Sequence, residues 1–112
     1  MNIKNTMILS GAIAPEVVRK KFATGEFVCI PFILSEEPEY RWIEISLRSY
    51  KYNYDNLVDA VIGIKYSYKE MFAILNNYLL DPKNSDAVKA FNDMQEWRKT
   101  AKDFAKKHFN MN

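Results

Sequence analysis

The stretch EYRWIEISLRSYKYNYDNLVDAVI, residues 39–62, decides the fold because the spacing of its apolar residues changes partway along it. In its first part Ile43, Ile45 and Leu47 alternate with polar residues, which indicates a half-buried strand. After Tyr50 the apolar residues recur at helical spacing, which indicates an amphipathic helix. Strands followed by helices predict an α+β domain.

Upstream of this stretch the sequence predicts a β-hairpin. Glu26–Leu34 is a largely apolar strand, Glu39–Leu47 is the second, and the polar residues 35–38 form the turn between them. Pro31 lacks a backbone N–H, so the first strand is predicted to lie at a sheet edge or to be bulged at that residue.

Two segments nearer the N-terminus complete this half of the chain. An isolated hairpin is marginally stable, so a further strand is expected, and residues 7–9 are apolar enough to supply it. The segment Ala14–Ala23 begins with Pro15 and Glu16, which favour the first turn of a helix, and ends before Gly25. It is predicted to be a short helix or an irregular arm.

Capping signals predict helices after residue 50. Asn53 or Asp55 caps the first helix, and Ser67–Glu70 is a capping box for the second, which ends at the Asp-Pro pair 81–82. A third helix begins after Ser85 and has apolar residues separated by steps of three and four over about six turns.

The size and charge of the chain are typical of a single domain, residues 1–112, with strands mainly in 1–50 and helices in 51–112. It has 112 residues, of which 48% are apolar, enough for one hydrophobic core. We therefore predict a hairpin or small antiparallel sheet packed on about three helices. The net charge of +2 is too nearly balanced to indicate a nucleic-acid partner by itself.

The sequence lacks the residues of a self-contained active site. His108 is the sole histidine and Cys29 the sole cysteine, which leaves too few ligands for a zinc site. The three glycines are isolated and match no phosphate-binding loop. No catalytic residue, cofactor or metal is therefore predicted, and Cys29 is expected to be a buried structural thiol in a reducing compartment. With no apolar stretch long enough for a signal peptide or a membrane span, the expected location is the cytoplasm.

Aromatic residues supply the first candidate binding surface. Tyr50, Tyr52 and Tyr54 occupy alternate positions and would project to one side of an extended segment. Trp42 falls on the face of its strand opposite Ile43 and is the fourth candidate. Tyrosine is favoured at protein interfaces, although the same rings can instead cover the core at a strand end.

Basic residues near the C-terminus supply the alternative surface. Lys99, Lys102 and Lys106 are spaced by three and four along one face of the predicted third helix, where they can contact phosphates. A row of this kind is also the ordinary solvated face of a helix, and cations in a last turn complement the helix dipole.

The helical half resembles small uncharacterised proteins from phages and mobile elements of Bacteroides-type gut bacteria. The resemblance covers roughly residues 56–107 and rests on four short motifs and the pair Ala101-Lys102: Val58–Ile62, Tyr66–Met71, Asn76–Leu79 and Met94–Arg98. It implies a phage-borne binding or assembly protein, located in the host cytoplasm or the virion, and it supplies no catalytic residues.

The function predicted from these observations is a non-enzymatic protein-interaction module that acts in particle assembly or by blocking a host protein. Its partner is another protein or another copy of the chain, and no membrane partner is expected. The alternative is a nucleic-acid-binding accessory protein that uses the basic third helix. A small enzyme completed by a partner chain is the remaining hypothesis.

Overall fold

The computed structural model describes residues 7–111, which form a sheet followed by helices. The elements of these residues are β1 Ile8–Gly11, β2 Val18–Phe22, β3 Gly25–Ser35, β4 Tyr40–Arg48, a 3-10 turn Ser49–Lys51, α1 Tyr54–Gly63, α2 Tyr68–Leu80 and α3 Ser85–His108. The predicted α+β class is confirmed. The described residues group into two compact units, 7–57 and 58–111, and the single domain stays a prediction.

The sheet has the strand order β1-β4-β3-β2, and every neighbouring pair is antiparallel. The predicted hairpin is β3 and β4, each of which begins and ends within one residue of the predicted bounds. The apolar residues 7–9 also supply a strand as expected, because β1 pairs with the start of β4 from Ile8 opposite Ile43 to Gly11 opposite Tyr40.

One face of the sheet is buried, and the strand register shows which one. Ile30 lies opposite Ile45, and Phe32 lies opposite Ile43, so these four side chains project to the same side. All four, together with Val28, are at most 7% exposed. Neighbouring residues along each strand project to the other side and are more exposed, except Cys29.

The segment predicted as a short helix or irregular arm contains β2, so that prediction is wrong for residues 18–22. This strand pairs with β3 from Val18 opposite Cys29 to Phe22 opposite Gly25. The connection is a two-residue turn followed by Gly25, whose φ of +135° is accessible mainly to glycine. Pairing across this tight turn outweighs the weak helix-start signal upstream.

Pro31 lies in an interior strand, so the predicted edge position is wrong for β3 as a whole. Pairing between β2 and β3 nevertheless stops at Cys29, and at Pro31 the strand has β4 as its neighbour on one side alone. The missing backbone N–H is tolerated for this reason. The irregularity in pairing falls two residues later, between Ile33 and Ser35.

The predicted helix starts are confirmed by capping hydrogen bonds. The Asn53 side chain accepts from the backbone N–H of Asn56 at 2.9 Å, which caps α1. Ser67 and Glu70 form the full capping box of α2, with distances of 3.1 and 3.0 Å. Asn84 caps α3, one residue before the predicted start.

Trp97 joins α3 to the end of α1 inside the helical unit. Its indole Nε1 donates to the carbonyl of Val61 at 3.0 Å, and the ring is 5% exposed. The ammonium of Lys65 lies 4.0 Å from the centre of the same ring. Burial lowers the pKa of Lys65, and the negative charge of Asp93 acts in the opposite direction.

We expect Ile30→Ala to lower the free energy of unfolding by about 2–5 kcal/mol, because Ile30 is 1% exposed and its loss leaves a cavity. Ile33→Ala is the matched control on the other face of the same strand, where Ile33 is 37% exposed, and it should cost about 1 kcal/mol or less. Urea denaturation measures both. Equal losses would mean that the two faces of the sheet are wrongly assigned.

Candidate functional site

The tyrosines predicted as a binding row do not lie on an extended segment. Residues 49–51 form a 3-10 turn and Tyr54 is the first residue of α1, so the predicted alternation of the three rings is wrong. Tyr50 is 77% exposed, whereas Tyr52 and Tyr54 are half-buried. The Arg19 guanidinium lies 5.7 Å from the centre of the Tyr52 ring. A role of these tyrosines in binding stays a prediction.

Trp42 is half-buried and separate from these tyrosines. It stands between Leu9 and Ile33 in the sheet, and its ring lies 3.5 Å from the point that a Cβ atom of Gly11 would occupy. Trp42 is near the start of β4 and Tyr50 follows the end of that strand, a separation of roughly 20 Å or more. The four predicted aromatic residues therefore do not lie side by side, and their role in one contact stays a prediction.

The lysine row is present on α3 and is exposed. Lys99, Lys102 and Lys106 lie on one solvated face, with the exposed carboxylate of Asp103 beside them. The aromatic residues of the helix are placed elsewhere, because Trp97 is buried and Phe104 is half-buried. Base-stacking platforms combine cations with exposed aromatic rings, and this row supplies the cations alone.

Helix α2 has the exposed surface that sequence reasoning missed. None of its thirteen residues is buried. Tyr68, Phe72 and Leu79 are 64–67% exposed and Leu75 is 36% exposed. Their spacing of four, three and four residues places all four side chains within about 60° of one another around the helix. We call Tyr68, Phe72, Leu75 and Leu79 the outer stripe.

A second apolar stripe holds α2 against α3. Its members Met71, Ile74 and Tyr78 are half-buried. The ring of Tyr78 stacks on that of Phe91 of α3, with ring centres 4.3 Å apart and planes inclined by 8°. Leu75 and Leu79, which have the same helical spacing, belong instead to the outer stripe and are exposed.

The electrostatics of α2 also distinguish the outer stripe from an ordinary solvated face. The ten residues 71–80 include no Asp, Glu, Lys or Arg. Charges begin again with Lys69 and Glu70 at one end and Asp81 at the other. Surface helices normally carry charged residues opposite their buried face, so this uncharged run was the sequence signal that could have revealed the second stripe.

Two clefts adjoin α2 in the helical unit. One of about 430 Å³ lies at the connection to α3 and includes Asp81 and Asp86. The other, of about 280 Å³, adjoins the start of α2 and includes Tyr66, whose pKa is raised chiefly by burial. Among residues 7–111 there is no group of three His, Cys, Asp or Glu side chains that could hold a metal ion.

The open face of the sheet is a further exposed surface, but charged groups interrupt its apolar residues. Val18 and Phe22 are about half exposed there. Between them Lys20 pairs with Glu44 at 3.3 Å. The Arg48 guanidinium lies 5.0 Å from the centre of the Phe27 ring and also donates to the backbone carbonyl of Thr24. These cations already have partners within the sheet.

The cysteine and the histidine both lie in structural surroundings. Cys29 is 3% exposed, as predicted for a structural thiol, and its sulfur lies 3.6 Å from the hydroxyl oxygen of Ser46. The His108 ring is half-buried between Phe104 and Phe109, whose ring centres lie 6.5 and 4.8 Å away. Burial lowers the pKa of His108 from its ordinary value.

Comparison with known proteins identifies no relative: no family model, curated protein or solved structure matches the chain. The predicted link to phage and mobile-element proteins therefore stays a prediction. Within residues 7–111 no helix is both long and apolar enough to cross a bilayer. The outer stripe of α2 is thus selected as the candidate site on its geometry alone.

The lowered pKa of His108 predicts how the free energy of unfolding changes with pH. Its folded-state pKa lies below the ordinary 6.5, so the unfolded chain binds more protons between these two values. The contribution of the neutral imidazole to the free energy of unfolding is fully present above pH 6.5. It is lost as the pH falls from 6.5 through the folded-state pKa. His108→Gln should therefore lose less stability than the native protein between about pH 7.5 and about pH 5.5, measured by urea denaturation. Lys106→Gln, which leaves His108 unchanged, should behave like the native protein.

Proposed function

We propose that this protein is a protein-interaction module that binds its partner through the outer stripe of α2. The observation that carries the proposal is a row of two aromatic and two leucine side chains left exposed on a regular helix. Action in particle assembly, or by blocking a host protein, is the setting that we propose for this binding, in line with the resemblance of the helical half to phage and mobile-element proteins.

The composition of the outer stripe supports a protein partner. Interface centres are enriched in aromatic residues and depleted of charge, and the outer stripe lies within such a run. Exposed leucines are common on protein surfaces when they are scattered, but four large apolar side chains in one row form a continuous patch. Burial of Phe72 and Tyr68 against a partner would remove most of this patch from water.

The helix that bears the outer stripe is held in place before binding. The capping box orders its first turn, and the stacked rings of Tyr78 and Phe91 attach the neighbouring apolar stripe, about 100° around the helix, to α3. A surface that is already ordered loses less conformational entropy when a partner binds. This favours α2 over the three tyrosines at positions 50, 52 and 54, which lie on a turn and a helix start.

The same geometry favours protein over nucleic acid. The outer stripe has no cation among its members, so it offers nothing to neutralise phosphate charge. The lysine row of α3 has the charge but lacks the exposed rings that stack on bases. Binding through α2 should accordingly be nearly independent of salt concentration.

A photo-crosslinking amino acid placed at position 72 in the cell tests the proposal. We expect illumination to give discrete adducts, with a partner identified by mass spectrometry. Leu79→Glu in the same chain should abolish them, because a buried unpaired carboxylate is costly at an interface. The matched control is the same reagent at position 73, an exposed residue of α2 that lies about 130° around the helix from the outer stripe.

The proposal fails if positions 72 and 73 give the same adducts, since the outer stripe would then contact other proteins no more often than a neutral helix position does. It also fails if the adducts persist in the Leu79→Glu chain while circular dichroism and urea denaturation show that this chain is folded. Adducts at position 72 that Leu79→Glu removes would support it.

A further inference from the structure

We infer that the partner seated on the outer stripe is a second copy of this chain, with the two α2 helices antiparallel about a two-fold axis. This inference rests on the proposed function, since it identifies the partner that the outer stripe binds. It is carried by the symmetry of the residue spacing, by the distribution of charge along α2 and by the area that the stripe can bury.

The residue spacing of the outer stripe is the same when counted from either end of the helix. Its steps are four, three and four residues, so an antiparallel copy presents the same steps in the same places. In this register Tyr68 faces the copy's Leu79, and Phe72 faces the copy's Leu75, each contact occurring twice. A two-fold interface requires a surface that complements itself in this way.

The pairing places large rings against smaller side chains. The aromatic residues Tyr68 and Phe72 occupy the first half of the stripe, and the leucines occupy the second half. An antiparallel copy therefore brings each ring against a leucine, whereas a parallel copy would oppose ring with ring at one end and leucine with leucine at the other. Alternation of large and small side chains across an interface favours close packing.

Charge along α2 also favours the antiparallel copy. Residues 71–80 are uncharged, so two copies bring no like charges together along the contact. Charges stand only beyond the two ends of this run, at Lys69, Glu70 and Asp81, so none falls at the centre of the contact. The two helix dipoles also point in opposite directions, which is favourable. In a parallel pair they would point the same way, which is unfavourable.

The area of the stripe predicts how strong the pairing is. From the exposure of its four side chains, each copy offers roughly 500 Å² and a pair buries roughly 1,000 Å². This lies at the low end of specific interfaces, where complexes are weak and reversible. The expected species is a dimer in rapid exchange with monomer, populated at high protein concentration.

Sedimentation equilibrium of the purified full chain, up to about 1 mM, tests the inference. We expect a monomer–dimer equilibrium in the native protein. Phe72→Glu should weaken dimerisation by at least about thirtyfold, because it removes an anchor and puts a charge opposite Leu75 of the copy. Ala73→Glu introduces the same charge away from the stripe and should change the constant by about twofold or less. Circular dichroism establishes that both variants are folded.

Engineered cysteines test the direction of the helices. A mixture of Tyr68→Cys and Leu79→Cys chains should form a disulfide-linked heterodimer on mild oxidation, because these positions face each other in the antiparallel register. Tyr68→Cys alone should form no disulfide-linked dimer. The native Cys29 does not interfere since it is 3% exposed. A linked dimer of Tyr68→Cys alone, with none in the mixture, would mean that the helices are parallel and would overturn the inference.

The remaining outcomes separate this inference from the proposed function. A native protein that sediments as a monomer throughout, or a dimer that Phe72→Glu leaves intact, overturns the second-copy partner. If the crosslinker at position 72 still yields a Leu79-dependent adduct with a different protein, the outer stripe remains a docking surface for that protein. If it yields none and the purified chain also sediments as a monomer, both the proposed function and this inference are wrong.

Discussion

The stacking of Tyr78 on Phe91 determines which side of α2 faces α3, and therefore which side faces the solvent. Met71 and Ile74 lie on the same side of the helix as Tyr78 and are half-buried with it. Since α2 is apolar over more of its circumference than one neighbouring helix can cover, its rotation decides which apolar residues stay exposed. The outer stripe is what remains after this contact is made.

The contact with α3 holds α2 in place because α3 is itself anchored. Met94, Trp97, Ala101 and Ala105 follow one face of α3 and are all buried. The indole hydrogen bond from Trp97 to Val61 ties this face to the end of α1, where the same carbonyl also accepts from the backbone N–H of Ile64 at 3.2 Å. Because α3 is long and well packed, the contact with it fixes the position of α2. The outer stripe therefore has one orientation.

Local signals in the sequence predicted most of the fold. The capping box at Ser67, the cap at Asn53 and the alternation around Ile43 each specify a structure through contacts within a few residues, and all three are seen. The strand β2 was missed because its side chains are mostly exposed, so it lacks an apolar pattern, and its pairing with β3 depends on a turn. Strand pairing is a contact that a single segment does not encode.

The candidate site was harder to predict for a related reason. Helical spacing places Leu75 and Leu79 on a side of α2 that α3 could have covered, and the actual contact through Phe91 depends on how two helices meet. The alternation predicted for the three tyrosines is wrong because it assumed an extended backbone, whereas residues 49–51 close into a 3-10 turn. The exposure of Tyr50 could be predicted, but not the separation of its ring from Trp42.

The outer edge of the sheet limits how copies of this chain can assemble. Strand β2 is an edge strand whose central residues are Arg19, Lys20 and Lys21, and the opposite edge, β1, has four residues. A cationic edge repels the same edge of another molecule, and a short edge offers few backbone hydrogen bonds. Edge-to-edge growth of the sheet, which would lead to open-ended polymers, is therefore disfavoured. The two-fold contact that we infer for α2 instead closes after two subunits.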